Sequence, residues 1–131
     1  MFNKENQLKT KHGSLQEFVE SNDIVGNMGS NQFDIEEVHK IGILDIRILN
    51  CDRNEANILV RKLAILGKEK LKGKFLKLIP IDHGLSFPDN FEIYEEEIVW
   101  MGYRQASQPF SPKSLEFIEK INPIEDCIRL R

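Results

Sequence analysis

A chain of 131 residues, 40% hydrophobic and 30% charged, has room for one domain with a real core and little room for two. Eight Gly and five Pro exclude low-complexity and collagen-like chains, and the apolar share excludes wholesale disorder. A formal net charge of −3 argues against a bulk polycation built for phosphate backbones, so no nucleic-acid partner is expected.

No run reaches the roughly 18 apolar residues that cross a bilayer, and the opening MFNKENQLKTKHG lacks the apolar stretch of a signal peptide. The expectation is a cytoplasmic chain without a transmembrane segment. Cys51 and Cys127 stand far apart with no Cys/His cluster around either, which predicts free thiols and neither a disulfide framework nor a zinc site.

In chain order, residues 1–12 read as a polar arm. Ser14 and Glu17 fit a capping box opening a short helix over Leu15–Val19. Residues 21–33, rich in Gly, Asn and Ser, read as a loop. Asp34 and Glu37 offer a second capping pair. Behind them Ile35, Val38, Ile41, Leu44 and Ile48 recur at helical spacing, while Ile43, Ile46 and Leu49 make the helix apolar over most of its circumference, hence central. After the turn at Asn50–Asn54, Ile58–Val60 and Phe75–Ile81 read as two short strands, the second ending or lying at an edge at Pro80. Residues 85–92 form a loop, Glu95–Ala106 reads as a helix with acids in its first turn, and Ser111-Pro112 starts a last helix that ends at Asn122-Pro123.

The chemistry-bearing residues cluster at the strand ends. Asp52-Arg53-Asn54-Glu55-Ala56-Asn57 follows the central helix and precedes a strand, and Asp82-His83-Gly84 ends the next strand. Phosphoryl transfer in kinases uses one carboxylate beside the attacking hydroxyl, with an amide oxygen and a second carboxylate holding magnesium on the nucleotide phosphates. Asp52 and Asn57 have the D-x-x-x-x-N spacing and Asp82-x-Gly84 the D-x-G spacing of those parts. Each motif alone is weak. The bland alternative is that Asp52 and Asn57 only close a turn.

Around these motifs, GSLQEFVE (13–20), MGSNQFDIEEVHKIGILDIRILNCDRNEANILV (28–60), LIPIDHGLSFPDNFE (78–92) and RQASQPFSPKSLEFI (104–118) resemble the phosphatidylinositol 3- and 4-kinase catalytic domain, in particular type II phosphatidylinositol 4-kinases of the plant-type gamma group. The resemblance implies an α+β fold: the mostly helical C-terminal lobe of a protein-kinase-like domain, with a small two-stranded hairpin. It implies a kinase C-lobe over 13–122, with catalytic loop 50–57, D-x-G 82–84, an activation loop at about 85–95, and a C-terminal extension over 123–131. Asp52 would be the catalytic aspartate, Asn57 and Asp82 the metal ligands, and Leu59 and Ile81 would flank the adenine of ATP. Arg53 would sit beside the phosphates or hold the loop backbone. The cofactors implied are ATP and Mg2+, with Mn2+ as a substitute. The implied activity is ATP-dependent phosphorylation of phosphatidylinositol at a membrane surface, giving peripheral association; the alternatives are a Ser/Thr protein kinase of the same fold or a non-catalytic scaffold.

Two departures stand out. Many phosphoinositide kinases have His where this chain has Asn54, and His83 is read as a structural residue. The resemblance also begins near the connection between kinase lobes, with no Gly-rich loop or phosphate-binding lysine strand before it. The chain is therefore expected to miss its N-lobe, to be inactive alone, and to self-associate through an apolar cleft at Leu59 and Ile81. Elsewhere, Arg61, Lys62, Lys68, Lys70, Lys72, Lys74 and Lys77 face one acid, Glu69, and read as a solvated loop or a patch for an anionic membrane. Trp100, Tyr103 and Phe110 read as core, with an interfacial Trp100 as the alternative from the resemblance.

Overall fold

The computed structural model describes residues 13, 15–63, 76–90 and 97–129. Helix α1 (Ile35–Ile48) begins where the Asp34 carboxylate accepts from the Glu36 amide at 2.9 Å. Glu36 and Glu37 in its first turn and Arg47 in its last suit the helix dipole. Instead of returning to the cap, the Glu37 carboxylate takes the Lys40 ammonium and the backbone amide of Leu78, at 3.0 Å, which ties the helix to the sheet.

The sheet has three antiparallel strands in the order β1 (Asp23–Ile24), β2 (Ile58–Lys62), β3 (Leu76–Pro80). Alternation along β2 turns Ile58 and Val60 to one face, and Val60 lies directly opposite Leu78. That face closes over Val38 and Ile41 of α1 together with Val25 and Phe33, all buried. Leu59 and its partner Ile79 lie on the other face, half-buried. β3 is an edge strand ending at Pro80, as expected of a residue that cannot donate to a ladder.

Several expectations need correction. The sheet is not a two-stranded hairpin, because Asp23 and Ile24 pair with Val60 and Leu59. A two-residue strand is too short to leave a periodic signal; it is held by backbone pairing and by Asn22, which donates to the Val60 carbonyl and accepts from the Lys62 amide. Residues 15–20 form no helix; Leu15 and Phe18 are almost wholly exposed, and so short a segment with no apolar partner does not offset the cost of helix nucleation. Glu95 and Glu96 lie outside the described residues. The remainder of the helix expected there is two 3-10 turns, Val99–Gly102 and Arg104–Ser107, separated by an extended Tyr103 (φ −85°, ψ 138°).

Helix α2 (Pro112–Glu119) starts as expected, with Ser111 accepting from the Ser114 amide and Pro112 at its first position. Asn122-Pro123 does more than end it. Asn122 accepts from the amides of Ile124 and Glu125 and so opens helix α3 (Pro123–Arg129) within the expected extension. The face of α1 that points inward is less apolar than expected: it buries His39 and Asp45, while Ile46 is 67% exposed. The 1–12 arm, the basic stretch over 64–74 and residues 91–96 lie outside the described residues. Among the described residues no helix is long and apolar enough to cross a membrane.

Candidate active site

The site is built at the end of α1. Leu49 takes a left-handed conformation (φ 49°, ψ 55°), its amide donates to the Ile46 carbonyl at 3.4 Å and that of Asn50 to the Asp45 carbonyl at 2.9 Å, which closes the helix in a Schellman motif. The reversal delivers Asn50 to Asn57 under the sheet. Asn50 accepts from the Asp52 amide at 2.9 Å. One oxygen of the Asp52 carboxylate accepts from Asn54 Nδ2 at 2.8 Å, while Asn54 Oδ1 is held by the Ala56 amide. Asn54 therefore orients the Asp52 carboxylate. Asn57 donates its Nδ2 to the Asp52 carbonyl at 2.9 Å, so its amide is locked with Oδ1, the metal-type donor, on the other side.

The D-H-G turn is fastened to this loop directly. The Ile81 amide donates to the Asn57 carbonyl at 3.0 Å. Asp82, exposed, then takes a left-handed φ of 50° and its Oδ1 accepts from the Gly84 amide. Asp is among the few residues that adopt this conformation at modest cost, and its appearance at a candidate ligand fits the habit of functional sites to hold backbone strain. A Cβ on Gly84 would lie 3.2 Å from Asp82 Oδ1, so the tight turn favours glycine there. A second seam follows, with the Cys51 amide donating to Leu85 O and the Phe87 amide to Ile48 O, both at 3.0 Å.

Between the two loops lies Arg53, whose side chain is wholly buried. Its Nε and Nη2 grip the Asp45 carboxylate (2.8–3.1 Å), its Nη1 donates to the carbonyls of Asn57 and Ile81, and its Nη2 also donates to His83 Nδ1 at 2.9 Å. Those contacts engage all five guanidinium donors. Arg53 thus holds the backbone of both loops through the Asn57 and Ile81 carbonyls. Because a guanidinium only donates, His83 Nδ1 accepts and the proton of the neutral ring sits on Nε2. Burial first, and the Arg53 charge second, push the His83 pKa below its ordinary value.

Asp45 is the member that sequence reasoning missed. It is 3% exposed, and besides Arg53 it accepts from Trp100 Nε1 at 2.9 Å and Asn50 Nδ2 at 3.3 Å. The signal was an acid set among the apolar residues of the helix, eight residues before Arg53. Trp100, read as core, packs against the core cluster and over Gly42, whose missing Cβ would sit 3.3 Å from the indole ring. Tyr103 packs beside Phe33, and Phe110, though 40% exposed, stands edge-on to His39. Gln105 donates to the carbonyls of Ser30 and Phe33 and so works as an internal tie. Cys51 and Cys127 are free thiols.

Among the described residues no group of three or more His, Cys, Asp or Glu could hold a metal ion. A site made of one carboxylate and one amide oxygen is a sparse set of hard oxygen donors, suited to Mg2+, which keeps waters and takes phosphate oxygens in its remaining positions. Asn57 Oδ1 and the outward Asp82 carboxylate meet that description.

The D-x-x-x-x-N loop and the D-x-G turn are stitched together at the end of a short antiparallel sheet, and comparison with known proteins gives the class. The family model for phosphatidylinositol 3- and 4-kinases matches residues 1–131, and the chain belongs to that family. Its curated relatives narrow this further. Phosphatidylinositol 4-kinase gamma 6 of Arabidopsis thaliana is 42% identical over 130 residues, covering 98% of this chain and 20% of the relative. Phosphatidylinositol 4-kinase gamma 7 of the same plant is 41% identical over 128 residues, covering 98% and 19%. Phosphatidylinositol 4-kinase gamma 4 of Oryza sativa subsp. japonica is 41% identical over 121 residues, covering 92% and 20%. The chain spans about a fifth of the length of these relatives. No solved structure matches it.

Proposed function

We propose that the chain is the C-terminal lobe of a phosphatidylinositol 4-kinase, and that the whole protein transfers the γ-phosphoryl group of ATP to the inositol headgroup at a membrane surface. Asp52 orients or deprotonates the attacking hydroxyl. Asn57 and Asp82 would hold Mg2+, which would supply charge neutralisation on the nucleotide phosphates. Leu59 and Ile81 pack against the adenine. The observation that carries this reading is the Ile81-to-Asn57 hydrogen bond, reinforced by Arg53, which joins the loop bearing Asp52 and Asn57 to the turn bearing Asp82. Asn54 supports the role of Asp52, since a carboxylate with one oxygen held by a fixed amide presents the other in a defined direction.

The lobe supplies one wall of a nucleotide cleft, and phosphoryl transfer depends on positioning as much as on charge. The 131-residue chain is therefore expected to be inactive alone. The test is a lipid-kinase assay with phosphatidylinositol vesicles, ATP and Mg2+, comparing the full-length protein, its Asp82→Ala variant and this chain. The expected result is phosphatidylinositol 4-phosphate from the first only. Labelling of protein and not lipid would move the substrate class to Ser/Thr side chains, and a silent full-length protein would favour a scaffold.

A further inference from the structure

The Asp45–Arg53 ion pair lies behind the candidate metal ligands, and each of its bonds leads to a different part of the site. We propose that Asp45 is a positioning residue for the metal-binding loops: it aims the Arg53 fork, and the fork sets the distance between the oxygens of Asn57 and Asp82. This inference rests on the metal-ligand reading above.

Arg53 is planar, and its two ends are engaged on opposite sides. Nε and Nη2 sit on Asp45, while Nη1 holds the carbonyls of Asn57 and Ile81, the latter one residue before Asp82. A rigid fork fixed at one end cannot swing at the other without breaking charge-assisted bonds. The Asp45 carboxylate is itself immobilised by Trp100 Nε1 on one oxygen and Asn50 Nδ2 on the other. The chain running through Trp100 also reaches the site by a second route, since Ile98 bridges Arg53 in parallel and the Val99 amide donates to the Arg53 carbonyl at 2.9 Å. Asp45 therefore sits where α1, the catalytic-type loop, the D-H-G turn and the 98–102 segment converge. A buried ion pair is often no more stabilising than apolar side chains of the same volume, so stability alone does not account for it. What it orients does.

The discriminating variant is the double substitution Asp45→Leu/Arg53→Met, which removes both charges and fills the space with apolar atoms. Mn2+ in the presence of ATP is the probe, read by paramagnetic broadening of the Asn57 side-chain amide and the Gly84 backbone amide in NMR spectra of the full-length protein. The expected result is a double variant that unfolds near or above the parent's denaturant midpoint but needs about tenfold or more Mn2+ for half-maximal broadening, the scale seen when groups that orient metal ligands are lost. Arg53→Lys keeps a cation beside Asp45 and cannot span both carbonyls, so it should show the same weakening. A folded double variant with the parent's Mn2+ affinity overturns the positioning role; should it not fold, an Arg53→Lys variant with unchanged affinity does so. Absence of broadening at Asn57 in the full-length parent overturns the metal-ligand reading, and the inference falls with it.

Discussion

Helix α1 makes two ion pairs to residues beyond its own C-terminus, and they have opposite characters. Asp45 meets Arg53 with side chains 2% and 0% exposed, and both partners are surrounded by further donors and acceptors. Two residues along, Arg47 reaches Asp126 on α3 through two hydrogen bonds, but the side chains remain 36% and 21% exposed. Around the second pair lie apolar side chains that the fold does not cover: Ile46, Phe117, Ile124 and Ile128 are each more than half exposed. The inner pair holds together the two loops of the candidate site. The outer pair clips a peripheral helix to a surface rich in exposed apolar groups. Identical charge types, two residues apart at the C-terminal end of the helix, thus hold a buried site on its inner side and a more exposed helix on its outer side, and burial is the variable that separates them.

The largest expected effect breaks the inner pair. Asp45→Ala leaves the Arg53 guanidinium buried and uncompensated, which should cost about 3–5 kcal/mol of folding free energy in denaturant titrations. Arg53→Ala should cost a similar amount, and the two losses should not add, because either change removes the same pair. A smaller effect is expected at the edge of the outer layer. Ser111→Ala removes the cap of α2 and should cost about 1 kcal/mol.

A pH experiment addresses the inner region alone. His83 is held neutral by burial and by Arg53, below its ordinary pKa of 6.5. Above that value the folded and unfolded chains carry the same neutral imidazole. As pH falls through it, the unfolded chain takes up the proton first, so stability declines with acidification until the folded-state value is also passed. His83→Gln should flatten that part of the denaturant-midpoint profile. The smallest effect is expected at the outer pair: Asp126→Asn should leave the midpoint close to the parent's, with the remaining difference abolished by high salt.

The legibility of the sequence followed the same division. α1 with its Asp34 cap, the start of α2 at Ser111-Pro112, β2, and β3 ending at Pro80 were readable because periodicity, capping residues and proline act locally. β1 was not, since its two residues owe their conformation to Val60 and Leu59 far along the chain. The 95–106 segment misled because its composition favours a helix, whereas Ile98 and Val99 are drawn to the Arg53 backbone and Trp100 to Asp45. Tertiary bonds there overrode propensity. Within the candidate site, spacing alone pointed to Asp52, Asn57 and Asp82. Asp45 and Asn54 have no spacing rule, and the parts they play next to those residues follow from the hydrogen bonds they make.

The central claim is that the catalytic-type loop and the D-H-G turn belong to the rigid core. Native-state hydrogen exchange tests it most directly, through the Ile81 amide that donates to Asn57 and the Val60 amide in the centre of the sheet. The account predicts that both exchange by the same global opening, with matching dependence on denaturant. Exchange of Ile81 through a local, denaturant-independent opening while Val60 stays protected would contradict it.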